Sequence, residues 1–268
     1  MKKKNKKRSL KTKKKSRQPE KNSPKINCKK KLLVLFICAI LVLLSVFSVW
    51  KYITPGDLES KEIIAIYDGD VPIHLKTAIL NNFVESVNSL PDRQSRTSLI
   101  SVLKNGQIPV RFCNIAADMK FDNQLVEIQV NYQLILPGVL PKEVIWSTLT
   151  HENVHIVNYL SGLVKPRLFQ ECREQGIGKK CAFEYFLDEY KGMSKQLEFL
   201  MGINSMHLAP LPIRELFVAD DIKNSVLAIL RIRYVEKGFV HPYYAQYYPE
   251  FERLMLQDEK LVYAVIGK

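Results

Sequence analysis

The sequence predicts an α+β fold. A small mixed sheet packs on a buried helix, additional helices follow toward the C-terminus, and one transmembrane helix precedes the domain. Three observations carry this reading. Short strand-like runs and helical periodicities succeed one another from residue 61 onward. The helix around Pro141 to Leu160 is apolar over most of its girth, yet it holds His151, Glu152 and His155. Leu32 to Trp50 form nineteen consecutive residues without a charge.

The elements follow in chain order. Residues 1–31 hold sixteen Lys or Arg and a single acid, Glu20. Of the 40 basic and 27 acidic residues in the chain, the remainder keeps 24 and 26, so the formal charge of +13 belongs to a tail. Such a run reads as a disordered, solvated cytoplasmic segment. Residues 32–50 as a helix span roughly 28 Å, enough to cross a bilayer core. Lys29, Lys30 and Lys31 abut one end, and Trp50, Lys51 and Tyr52 mark the other. That asymmetry places the N-terminus in the cytoplasm and the rest of the chain outside it, at a cell membrane crossed once. The basic tail is expected to attract anionic lipid head groups, and nucleic acid is not an expected partner. Residues 51–60 read as a linker, and residues 61–268 as one domain.

Within that domain, Lys61–Asp68 includes a short strand. His74–Leu90 reads as an amphipathic helix with Leu75, Ile79, Phe83 and Val87 at four-residue intervals, ended by Pro91. An apolar run from Ser98, a turn at Asn105-Gly106 and a strand over Ile108–Phe112 come next. Gln124–Ile135 alternates, with Val126, Ile128, Val130 and Tyr132 on one side, and predicts the clearest strand. Pro137-Gly138 turns the chain, and Pro141 suits the first turn of the next helix. Ile145, Leu149, Ile156 and Leu160 line one side of that helix, flanked by Trp146 and Val157. Further helices are expected over 182–201, 213–236 and 243–257.

The polar remainder of the 141–160 helix carries the chemistry. His151-Glu152-Asn153-Val154-His155 sets two imidazoles one turn apart, where both reach one metal ion. Glu152 is rotated by about 100° from His151, near enough to act on a metal-bound water without binding the metal. Burying these groups without partners is costly, and a cation removes that cost. Catalytic zinc usually takes three protein ligands. The next helix offers Glu184, Asp188, Glu189 and Glu198. Glu189 is favoured because Tyr185, Phe186, Gly192, Met193 and Gln196 surround it on a helical wheel. Glu184 and Asp188 stay open as alternatives, although Glu184 is rotated by about 140° from Glu189. Gly192 allows this helix to approach the first closely.

A strand, a helix with HENVH and a later helix with Glu189-x-x-Gly192 resemble the small gluzincin metallopeptidases of the zincin superfamily. The resemblance covers roughly residues 124–200 and is specific at HExxH. It implies a zincin-like fold, zinc held by His151, His155 and Glu189, and Glu152 as general base. It also implies that the strand near Gln124–Tyr132 is the edge strand pairing with an extended substrate. Met193 departs from the common pattern.

The expected function is that of a membrane-anchored zinc metalloprotease, a hydrolase cutting peptide bonds of a peptide or protein substrate outside the cytoplasm. The alternative is a catalytically inactive zincin-fold scaffold at the membrane. His207, His241, Tyr243 and Tyr244 are the candidate transition-state donors. Cys172 and Cys181 flank a polar stretch and either bridge or stay as two thiols. Cys113 lies in a strand-like run and reads as a small buried apolar residue.

Overall fold

The computed structural model describes residues 56–165 and 169–268. The expected tail, the membrane segment at 32–50 and the start of the linker lie outside the described residues. Among the described residues, no helix is long and apolar enough to cross a membrane.

The domain is mixed α/β. Strand β1 (Ala65–Tyr67) leads into α1 (Lys76–Asn88) and α2 (Arg93–Lys104). Strands β2 (Val110–Cys113), β3 (Met119–Asp122) and β4 (Glu127–Asn131) follow, then α3 (Lys142–Leu160). The rest is helical: α4 (Phe169–Glu174), α5 (Gly178–Gly202), α6 (Leu211–Leu216) and α7 (Ile222–Leu230). A π-helical turn (Arg231–Glu236), α8 (Pro242–Ala245), α9 (Tyr248–Gln257) and α10 (Glu259–Ile266) complete it.

The sheet order is β1-β2-β4-β3. The first three of these run parallel, and β3 pairs antiparallel with β4, Phe121 opposite Ile128. This corrects the sequence reading in one consequential way. The strand expected at Gln124–Ile135 is shorter and sits inside the sheet, whereas the unanticipated β3 forms the edge. Val126 has φ 55°, a conformation a β-branched residue rarely adopts, so Gln124–Val126 belong to the turn joining β3 to β4. Beyond Asn131, the N–H groups of Leu134 and Ile135 both donate to Asn131 O, which ends the extended chain.

Alternation along β2 and β4 drives the core. Val110, Phe112, Ile128 and Val130 are fully buried. Ile79, Phe83 and Val87 of α1 and Leu99 and Leu103 of α2 are buried with them, at roughly 1.5–3 kcal/mol per large side chain. The apolar run after Ser98 proves to be helical, started by Asp92, whose carboxylate accepts from Gln94 N–H and Ser95 Oγ–H. In α3, Ile145, Leu149 and Ile156 are buried as expected, but Leu160 and Val157 are half exposed near its end. Ser147 and Thr150 donate to helix carbonyls at Val144 and Trp146, so their hydroxyls are buried with partners.

Helices α3 and α5 form the most extensive helix pair, and β3 also packs on α3. A disulfide joins Cys172 of α4 to Cys181 in the first turn of α5. Cys113 is a free, buried thiol on β2.

Candidate metal centre

The polar side of α3 opens on a cleft of about 760 Å³. Its lining includes Thr148, His151, Glu152 and His155, with Glu184, Asp188 and Glu189 from α5 and residues 116–124 around β3. The four-residue spacing on α3 brings Nε2 of His151 to 2.9 Å from Nε2 of His155. From α5, Glu189 places Oε2 at 3.9 Å from the His151 nitrogen and Oε1 at 4.0 Å from the His155 nitrogen. These three residues offer ligand atoms that all lie within 4.8 Å of one another and could hold a metal ion.

The donor set fits such an ion. Tetrahedral zinc with bonds of roughly 2.0–2.1 Å sets its donors about 3.3 Å apart. The observed separations bracket that value, so small side-chain shifts close the shell. Both imidazoles are buried; Nδ1 of His151 lacks a hydrogen-bond partner among the described residues, and Nδ1 of His155 has the Asp188 carboxylate at ion-pair distance without a well-directed hydrogen bond. Two ring nitrogens facing each other share at most one proton between them, whereas a cation takes a lone pair from each.

The close approach of the helices depends on Gly192. A Cβ built there would lie 3.0 Å from Cε1 and Nε2 of His151. The glycine expected to allow close packing therefore does so against the ligand ring itself.

Glu152 is buried and faces β3, where its Oε2 accepts from Phe121 N–H at 2.6 Å. It is not one of the three converging ligands. Burial raises its carboxyl to about 7; the His155 charge and the Phe121 N–H oppose the rise, and Glu189 and Asp188 add to it. His151 is pushed well below its ordinary value by burial, by His155 and by the positive charge of Arg233. Burial also works against charge on His155, but Asp188, then Glu189 and Glu152, outweigh it and raise its pKa to about 10.

The alternatives for the third ligand separate clearly. Asp188 has Oδ2 at 2.8 Å from Nδ1 of His155 and accepts from Asn158 Nδ2 through Oδ1 at 2.6 Å. It thus holds the ring from behind, the usual place for a carboxylate that orients a metal-ligating imidazole. Glu184 is buried and lines the cleft outside the ligand trio. Adjacency to Glu189 was the available signal for Asp188, but a helical wheel alone cannot separate neighbours 100° apart.

Of the four sequence-based donors, one lines the cleft and three do not. His207, His241 and Tyr243 do not line the cleft. His207 lies exposed in a short turn, Met206–Leu208. His241 caps α8, its Nδ1 accepting from Tyr243 N–H at 3.1 Å. Tyr243 packs its ring over Gly178, which leaves no room for a Cβ there. Tyr244 does line the cleft, and so does Arg233, which sequence reasoning missed. Cys172 and Cys181, bonded to each other, form part of the same wall.

The chain matches no protein-family model, and neither a curated protein nor a solved structure matches it.

Proposed function

We propose that this chain is a membrane-tethered zinc-dependent peptidase that hydrolyses peptide bonds outside the cytoplasm. The observation that carries the reading is the convergence of His151, His155 and Glu189 in a cleft that also holds Glu152 beside the ligands. When bound at those three residues, zinc supplies a Lewis acid that acidifies water and polarises a carbonyl. Glu152 takes the proton of the attacking water and delivers it to the leaving amine. Asp188 and Asn158 fix the His155 ring. The edge strand β3, whose residues line the cleft, offers a backbone against which an extended peptide can lie.

Placement outside the cytoplasm is supported by the Cys172–Cys181 bond, since oxidising compartments preserve such bridges. The apolar run at 32–50 and the basic residues before it support the anchor and contact with anionic lipid.

Purified full-length chain is expected to carry one zinc per molecule and to cleave members of a quenched-fluorescent peptide library. Glu152→Gln should keep the zinc and lose roughly 10²–10⁴-fold in rate. A wild-type chain that binds zinc but cleaves nothing would favour the inactive scaffold, and one that takes no metal would overturn the metal centre.

A further inference from the structure

The geometry points to Arg233 as the catalytic residue whose guanidinium meets the negative oxygen formed on the substrate carbonyl. This inference rests on the peptidase reading. When water adds to the carbonyl carbon, the π pair of the C=O bond moves to its oxygen, and the water's proton passes to Glu152. The new negative charge then needs a donor placed beside the ligands before the reaction starts.

Several observations converge on Arg233. It lines the cleft that contains His151, Glu152, His155 and Glu189. The cleft's other cations, Lys120 and Lys165, are exposed, whereas Arg233 is half-buried. Of the four donors expected from sequence, His207, His241 and Tyr243 do not line the cleft, and Tyr244 does.

The backbone at Arg233 is also irregular. Residues Arg231–Glu236 form a π-helical turn in which Lys237 N–H donates to Ile232 O, five residues back. Such turns insert a residue into a helix and re-aim its side chains, and they recur at functional sites. Tyr244, on α8 packed against this turn, lines the cleft as well.

The test uses the full-length, zinc-loaded chain. Arg233→Ala and Arg233→Lys are compared with wild type for zinc content, for kcat and KM on the best-cleaved library peptide, and for calorimetric affinity toward a phosphonate analogue of that peptide. Where no peptide is cleaved, a phosphonate dipeptide replaces the analogue. Arg233→Ala should keep its zinc and its KM, lose roughly 10²–10³-fold in kcat, and recover part of it in added guanidinium ion. Phosphonate affinity should fall in parallel, and Arg233→Lys should lie between. His207→Ala, in the exposed turn, should match wild type. Unchanged kcat or unchanged phosphonate affinity in Arg233→Ala would overturn the assignment. The phosphonate arm is read whether or not any peptide is cleaved. A zinc-loaded wild type without hydrolysis would sink the peptidase reading, while phosphonate affinity lost in Arg233→Ala would still support the anion role.

Discussion

Asp188 Oδ2 lies 2.8 Å from Nδ1 of His155, the nitrogen opposite the one that faces Glu189. One acidic pair on α5 therefore grips a single imidazole from both sides. Glu189 offers an oxygen to the candidate metal position, and Asp188 lies against the far side of the ring that faces it. Asn158 of α3 donates to Asp188 at 2.6 Å and ties this outer carboxylate back to the ligand helix.

That division of labour gives the first expectation. Asp188→Asn should weaken zinc binding by roughly 10–100-fold while the protein stays folded. Competition with a chromophoric chelator measures the affinity, and circular dichroism checks the fold. A loss too large to measure would mean that Asp188 is itself a ligand.

Gly192→Ala should lower zinc affinity by roughly tenfold, because the new methyl would sit 3.0 Å from the His151 ring and push it aside. Alanine's better helix propensity returns about 1 kcal/mol, so thermal stability should change little. Affinity and melting temperature must therefore diverge in this variant. If both hold steady, the ring has room that the packing denies.

The disulfide closes a short loop between α4 and α5, with a sequence separation of 9. Replacing Cys172 and Cys181 together by Ser should remove about 2–3 kcal/mol of stability by the chain-entropy relation. Denaturant unfolding measures the loss. Alkylation before and after reduction should label both cysteines only in the reduced chain.

Stability of the metal-free chain should fall as pH rises from 7 to 10. His155 keeps its proton to about 10 when folded, against an ordinary 6.5, so its contribution is complete below 6.5 and is lost as pH climbs through 10. Glu152, raised from 4.5 to about 7, loses its contribution between those values. His151 is depressed and acts with opposite sign, but only below its ordinary 6.5. Between pH 7 and 9, His155 therefore sets the slope, and the buried Cys113 thiol, raised from its ordinary 9.0, adds to it above that. Melting temperatures across this range should decline for wild type and stay flatter for His155→Gln. Zinc should flatten the wild-type curve too, since a metal ligand must give up its proton.

By four-residue spacing alone, the sequence set the two imidazoles of α3 on one side of the helix. That spacing brings their Nε2 atoms to 2.9 Å, where a cation could bridge them. The wheel around Glu189 and the small residue at Gly192 identified the helix that completes the site. Tertiary structure decided what depends on distant pairing. Insertion of β4 between β2 and β3 made Met119–Asp122 the edge, although the strongest alternation lies in β4. The rotation of α5 against α3 sent Asp188 behind His155 and Glu189 toward both imidazoles, neighbours that no wheel could separate. The return of the π-turn and α8 brought Arg233 and Tyr244 to the cleft and left His207, His241 and Tyr243 outside its lining. Periodicity fixes which side chains share one face of an element, because it is set by local backbone geometry. Which faces meet is set by burial of the whole apolar surface, which a short window of sequence does not contain.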